Sequence, residues 1–301
     1  MAAEPAPDQA SAPDPRVGVV VLTHNRVHEV IRTVERLLAL PARPGIVVVD
    51  NASTDGTAAA LRRRFPTIRC VSLAENIGAA GRNVGVQLCD RPYVALCDDD
   101  TWWEPGSLKR AADLLDAYPR LAVVTGRVLV GPDERLDPAC QQMASSPLRP
   151  SSPLPGPALL GFLAGASMVR RSAFLEVGGF ERRFFVGGEE ELLALALVSS
   201  GWELAYVDDI VVRHYPSSRR DRSGRRRTVL RNHLWVTWLR RPLGPALART
   251  LAAVRRGLAD RATREALAEA ARGLPWVLRH RRVIPGHVER RLRQLELSGR
   301  R

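Results

Sequence analysis

Apolar residues along the first third of the chain fall into two alternating patterns. Residues 17–22 (VGVVVL) form a continuous, mostly β-branched run, the signature of a strand covered on both faces. The chain turns polar at once in residues 23–26 (THNR). Val27, Val30, Ile31, Val34, Leu37 and Leu38 then recur at helical spacing, up to the breaker-rich residues 41–45. The alternation continues with strand 46–50, a turn-rich loop 51–57, helix 58–65, strand 68–73, helix 78–88, strand 93–97 and a fifth strand over 121–125. Strands alternating with helices over short loops predict an α/β fold, a Rossmann-like and mostly parallel sheet flanked by helices. Ligands of such sheets sit outside the carboxyl ends of the strands. Thr23, Asp50, Glu75, Asn76 and residues 98–100 stand at or just past those ends, so they are expected around one crevice.

The pattern loosens in the second half. Residues 128–137 read as a β-hairpin, and the Pro- and Ser-rich stretch 137–157 as a long structureless loop. A small, apolar segment (161–170) precedes helix 172–177, a glycine turn and helix 189–200. Strands 202–207 and 210–212 follow, then a helix over 231–239 with Trp235 and Trp238 on one face. Helices 246–258, 262–272 and 288–297, with Leu, Ala and Arg interleaved, complete the chain. This divides it into a disordered tail (1–15), an α/β unit (16–240, with halves 16–127 and 128–240) and a helical, basic C-terminal extension (241–301).

Charge changes the picture. The chain carries a formal +13, and most of the excess is Arg after residue 212. Such a balance points to an anionic partner: nucleic acid, an anionic membrane surface or a phosphorylated substrate. Arg219, Arg220, Arg222, Arg225, Arg226 and Arg227 form a run that is either a solvated face or a phosphate clamp. Residues 275–285 mix apolar residues with Arg, as a segment lying on an anionic membrane does, or one packed on the main domain. No nucleic-acid-binding motif is present, so no nucleic acid partner is expected. Cys70, Cys89, Cys97 and Cys140 form no CxxC pair and read as reduced thiols of a cytoplasmic protein. Residues 1–15, rich in Ala, Pro and Asp, have no signal-peptide pattern. No apolar run approaches the roughly 18–20 residues of a membrane span.

The candidate chemistry starts where strand 93–97 runs into Asp98, Asp99 and Asp100. Three adjacent carboxylates at a buried strand end repel one another, and a divalent cation offsets this with oxygen ligation. Asp98 and Asp100 fall on the same side of an extended segment. The same acids also suit a solvated turn capping a helix. The first turn has no GxGxxG, and the chain has no GxxxxGK. A nucleotide held through a metal therefore fits better than a dinucleotide. The small residues at 78–81 (GAAG) suit either a phosphate at a helix start or close helix–sheet packing. Glu189, Glu190 and Glu191 open a helix behind two glycines, three acids where capping needs fewer.

Taken together and in order, residues 17–26, 48–57 (VVDNASTDGT), 76–85 (NIGAAGRNVG) and the triple Asp at 98–100 resemble the N-terminal half of family 2 glycosyltransferases of the GT-A fold. The likeness runs over about residues 17–240. It implies a GT-A-like fold and a site for a nucleotide-diphosphate sugar. In that site Thr23 and Asn25 line the nucleotide pocket, and Asp50 accepts a hydrogen bond from the base. Arg82 and Asn83 approach the nucleotide or diphosphate, and Asp98 faces the ribose or sugar. Arg26, Asn76, Gly78 and Asp99 complete the nucleotide-sugar set. Asp100 binds Mg2+ or Mn2+, with His214 completing the metal site. The family's general base, usually the Asp of a Glu-Asp pair, falls on Glu190, with Glu189 before it. The departure from Asp leaves Glu189 and Glu191 open as alternatives.

The implied activity is transfer of a sugar, hexosyl or rhamnosyl, to a hydroxyl of a glycan or lipid-linked acceptor. It proceeds by metal-assisted single displacement with inversion. The resemblance places it in cell-envelope polysaccharide or glycolipid synthesis, in the cytoplasm or peripheral at the inner face of the membrane. The loop 137–157 would then lie near the acceptor. The alternatives are a nucleotide-sugar-binding relative without catalysis, a nucleotidyltransferase, for which the glycine-rich phosphate loop is missing, and a nucleic-acid-binding protein.

Overall fold

The computed structural model describes residues 13–217 and 224–298. Strands β1 (Val17–Thr23), β2 (Gly45–Asp50), β3 (Arg69–Ser72) and β4 (Tyr93–Asp98) lie parallel in the order β3-β2-β1-β4. Helices α1 (Val27–Leu38), α2 (Thr57–Arg64) and α3 (Gly81–Leu88) connect them, α3 after a single 3-10 turn at Gly78–Ala80. The predicted apolar runs are the core: Val19, Val20, Val21, Val48, Val49 and all of Val94 to Cys97 are wholly buried. The glycines of α3 serve packing. A Cβ on Gly85 would stand 2.3 Å from Val20 Cγ1, and one on Gly81 2.6 Å from Leu22 Cδ1. Of the two uses read for the small residues at 78–81, close helix–sheet contact is therefore present.

The remaining elements are β5 (Thr101–Trp103), α4 (Ser107–Ala117), β6 (Leu121–Val130), β7 (Arg135–Leu136), α5 (Pro138–Ala144), β8 (Ser167–Arg170), α6 (Arg171–Glu176), α7 (Glu189–Ser199) and β9 (Glu203–His214). Then come α8 (Arg225–Arg240), α9 (Leu243–Gly257), α10 (Arg261–Arg272), α11 (Leu274–Arg279) and α12 (Gly286–Ser298). Among the described residues the sheet continues from β4 through β8, β6 and β9 to β5, with β7 pairing off β6. It is parallel through its first half and mixed beyond: β8 runs antiparallel to both β4 and β6, and β9 parallel to β6.

Three expectations are corrected. Residues 137–157 are not structureless, because α5 opens them. Asp137 caps it by accepting the Ala139 N–H at 2.9 Å, Pro138 opens its first turn, and Cys140 is wholly buried. Strands 202–207 and 210–212 are one strand, β9, which bulges away from β6 at the exposed pair Asp208 and Asp209. The short β5, which follows the acid turn, was not predicted; it pairs with β9. The four cysteines are free thiols, three of them buried.

The C-terminal helices share the main core. Trp235 of α8 sits between Phe184 and Trp276, and Val277, Ile284, Val288 and Leu292 join the cluster that contains the strands. Arg241 forms a buried pair with Glu289, at 2.8 Å, and Arg291 reaches Glu203 of β9 at 3.1 Å.

Candidate active site

Register aligns the strand tips. Thr23 lies beside Asp50, Leu22 beside Asp98, and Thr101 opposite His214. Their ends open onto a cleft of about 670 Å³. Of the residues predicted from sequence, Thr23, Arg26, Asn76, Gly78, Arg82, Asp98, Asp99, Asp100, Glu189, Glu190 and His214 line it. Asn25, Asp50 and Asn83 are not among its lining residues. Asn25 accepts the Thr54 N–H at 2.7 Å, tying the first loop to the second. Asp50, 2% exposed, accepts the Ser53 N–H at 3.2 Å. Asn83 both accepts the Phe180 N–H and donates to the Phe180 carbonyl, at 2.9 and 2.8 Å.

The acid turn is held from below. Thr101 Oγ1 accepts the Asp98 N–H at 2.9 Å and donates to the Gly165 carbonyl at 3.0 Å. Asp98 is ion-paired with the buried Arg82. Asp99 accepts from Thr23 Oγ1 at 3.0 Å and from Arg26 Nη1 at 2.8 Å. Burial pushes its carboxyl up to about 7, with Asp100 and Asp98 adding to the rise and Arg26 opposing it. Asp100 is wholly buried. Its Oδ1 lies 3.6 Å from His214 Nε2, while Oδ2 lies 3.4 Å from Arg26 Nη1 and 3.3 Å from the Ser217 N–H.

Asp100 and His214 are a carboxylate and an imidazole facing each other at a separation compatible with two ligands of one cation, each bonded at about 2.1 Å. The donor set fits Mn2+ or Mg2+. Among the described residues no three His, Cys, Asp or Glu gather at metal-holding spacing. The other positions would fall to phosphate oxygens and water, the usual completion of a Mg2+ site.

The three glutamates part ways at the start of α7. Gly187 and Gly188, with φ of +85° and +86°, bring the chain into the helix. Glu189 is 6% exposed, and burial raises its pKa. Glu190 Oε1 accepts the Ala164 N–H at 2.8 Å, and burial with the neighbouring Glu189 pushes it up to about 7. Glu191 points elsewhere, to His233 Nδ1 at 3.0 Å on α8.

The loop before these acids is tied down at both ends. Phe185 has φ +63° and ψ −68°, and the Val186 N–H reaches the Phe184 carbonyl at 2.8 Å, a strained γ-turn. The Phe185 carbonyl accepts the Ala79 N–H at 2.7 Å. Asn232 of α8, wholly buried, donates to the carbonyls of Phe184, Val186 and Gly187 at 2.8, 3.2 and 2.5 Å. Sequence reading did not single out Asn232. Its one signal is an amide inside an aromatic helix. Asn51 was missed as well: it accepts the Ile77 N–H at 2.9 Å and donates to the Gly78 carbonyl at 3.0 Å, joining two cleft loops.

The three described arginines of the run part ways. Arg225 lines the cleft with Thr228, whereas Arg226 pairs with Asp260 and Arg227 with Glu269 of α10. Arg219, Arg220 and Arg222 lie outside the described residues.

Comparison with known proteins follows this geometry. The chain is 29% identical over 232 residues to the N-acetylglucosaminyl-diphospho-decaprenol L-rhamnosyltransferase of Mycobacterium tuberculosis, covering 65% of this chain and 75% of the relative. Its fold is similar to that of the mannosyltransferase PcManGT from Pyrobaculum calidifontis in complex with GDP-Man and Mn2+. That match has a TM-score of 0.57 and 22% identity, over 89% of this chain and 74% of the other. It is also similar to GalNAc-T7 with UDP, GalNAc and Mn2+, with a TM-score of 0.57 and 15% identity. There the match covers 74% of this chain and 47% of the other, so the chain spans about half of that protein. These neighbours have the GT-A fold expected from the sequence. The family model for glycosyl transferase family 2 matches residues 18–178, more than half of the chain, and the protein belongs to that family.

Proposed function

We propose that the protein moves a sugar from a nucleotide-diphosphate sugar to an acceptor hydroxyl by one displacement with inversion. The observation that carries this reading is Glu190, an acid with a pKa raised to about 7, lining the same cleft as the Asp98–Asp100 turn. Residues 16–240 are the catalytic unit of this reading, with a nucleotide-sugar half (16–127) and an acceptor half (128–240), and residues 241–301 its helical extension.

Two charges must be managed. The acceptor hydroxyl loses a proton as it attacks, and Glu190 accepts it; a pKa close to the working pH suits both halves of that exchange. The leaving diphosphate gains negative charge. Arg82, buried and held by Asp98, meets it without reorganising, and Arg225 at the cleft adds a second positive charge. Mg2+ or Mn2+, held by Asp100 and His214, supplies further charge neutralisation when bound. Glu189, beside the base, keeps the pKa of Glu190 raised by its own charge.

The name of the mycobacterial relative supports rhamnose as the sugar and a lipid-linked diphosphate sugar as the acceptor, and on this reading the protein acts in cell-envelope synthesis at the inner face of the membrane. The test is a thermal-shift panel of uridine and deoxythymidine diphosphate sugars with Mn2+, followed by a transfer assay on a polyprenyl-diphosphate sugar. Stabilisation by one donor and inverted product are expected. No stabilisation by any nucleotide sugar overturns the reading.

A further inference from the structure

Helix α9 turns its large apolar residues outward. Leu243, Leu247, Leu251, Val254 and Leu258 are 59%, 52%, 58%, 46% and 81% exposed. With about 3.6 residues per turn they fall within roughly 80° of arc, one continuous stripe. Leu258, the residue after the helix, keeps helical angles (φ −59°, ψ −34°), so the stripe runs through it. The buried face, about 100° round the helix from the stripe, is built of small residues: Ala246, Ala253 and Gly257. A Cβ on Gly257 would stand 3.3 Å from Leu267 of α10. The leucines are therefore not needed by the fold of this chain, and a surface stripe of this kind marks an interaction site.

Charge says what covers it. Helix α9 holds Arg249, Arg255 and Arg256 and no Asp or Glu. Residues 241–301 contain fifteen Arg against five acids, which gives +10 of the +13 of the chain. A second copy would bring two such segments together, and their repulsion opposes the contact. No helix among the described residues is long and apolar enough to cross a membrane. An anionic bilayer surface offers both partners at once, acyl chains for the leucines and headgroups for the arginines.

We infer that α9 lies in the interfacial plane of an anionic membrane, with the stripe from Leu243 to Leu258 among the acyl chains and Arg255, on the flank of the stripe, at the headgroups. The main membrane element is thus α9; of residues 275–285, Val277 and Ile284 are spent in the core and Trp276 packs on Trp235, which leaves only Leu278 and Val283 of its large apolar residues facing out. Helix α8 links the surface to the cleft. Its Trp238 Nε1 donates to Thr250 Oγ1 of α9 at 3.0 Å, its Asn232 holds the acid-bearing loop, and Arg225 and Thr228 of its first turn line the cleft. A lipid-borne acceptor would reach the cleft from this side. That link rests on the acceptor proposed above, whereas the docking does not.

The experiment is co-sedimentation of the full chain with vesicles of phosphatidylcholine, alone or mixed with phosphatidylglycerol, at low and high salt. No donor or acceptor is present, so the result is independent of the transferase reading. The wild type should sediment with the anionic vesicles, and less so at high salt. Leu247→Asp with Leu251→Asp should lower the partition about a hundredfold. Arg255→Glu with a second substitution on the same flank, Ala248→Glu, should remove most of the salt-sensitive part. Both variants should keep the wild-type melting temperature, since these side chains are exposed. Wild-type protein that stays in the supernatant, or a leucine variant that sediments equally well, overturns the inference. So does a concentration-dependent dimer in analytical ultracentrifugation that the leucine substitutions abolish, which would make the stripe an interface between copies. Vesicle binding that survives a negative donor panel sustains the docking while removing the proposed function.

Discussion

Glu190 Oε1 accepts the backbone N–H of Ala164 at 2.8 Å. The next residue, Gly165, has no room for a side chain, because a Cβ there would stand 2.8 Å from Asp98 Oδ2. A two-residue segment therefore touches both acids that the proposed reaction needs, one from α7 and one from the tip of β4. If Glu190 is the base, Glu190→Gln keeps the shape and the donor site but cannot take a proton. Transfer should fall about 10²- to 10⁴-fold with donor affinity unchanged. Steady-state kinetics and calorimetry on one preparation check both halves. Full turnover by the variant would move the base to Glu189.

The pH dependence follows from the same residue. Glu190 works deprotonated, so kcat/KM should rise with pH and level off above about 7. The stability effect has the opposite direction. Between the ordinary carboxyl range and about 7 the native state keeps a proton that the unfolded chain has lost, so stability contributed here falls as pH rises through that window. Glu190→Gln abolishes that loss. The variant should melt at or above the wild-type temperature at pH 8 while being inactive, which calorimetric scans at pH 5 and 8 would test.

Asp100→Ala should abolish the cation dependence of donor binding. Titration of the wild type with a nucleotide sugar should show binding that a chelator weakens, and the variant should bind weakly with or without it. Equal, chelator-sensitive binding by both proteins would place the cation away from Asp100 and His214.

Asn232 satisfies three carbonyls of the loop that delivers Glu189 and Glu190. Asn232→Leu takes the amide donor from the carbonyls of Val186 and Gly187, while that of Phe184 keeps the Val186 N–H, at a cost of roughly 2–4 kcal/mol. Urea denaturation should show that loss, and kcat should drop with little change in donor affinity, because the base moves and the donor site does not. A variant of wild-type stability would mean that water takes the place of the amide.

Gly78 has φ +61°, and a Cβ there would stand 2.1 Å from the Phe185 carbonyl oxygen. Gly78→Ala must push apart the start of α3 and the γ-turn before the glutamates. The expected cost is about 2 kcal/mol, with a lowered kcat. A melting curve and a kinetic run on the same sample decide this. An alanine variant of unchanged stability would show that the two loops separate freely.

Much of the N-terminal half was legible because its signals are local. A continuous run of β-branched residues has only one stable use in a chain this size, a buried strand, and the polar residue that ends it marks the tip where ligands meet. Thr23 and the acids 98–100 followed from that alone. The mixed half of the sheet was less legible. Its strands β5 and β8 are short, and their direction is set by partners far along the chain.

What the amino-acid order determined by itself was periodicity and chemistry: where the long strands and helices of the first half form, and that three acids follow β4 and three more open α7. Only the tertiary structure decided direction. Successive helix residues point about 100° apart, so the packing of α7 against α8 left Glu189 and Glu190 at the cleft and gave Glu191 to His233. Asp50 and Asn83 hold the right chemistry but are turned to nearby backbone. On α9 the usual rule is reversed: close contact with its neighbours admits only Ala and Gly, so the leucines face out. Periodicity reveals that a helix has two faces, while the space left by its neighbours settles which of them is buried.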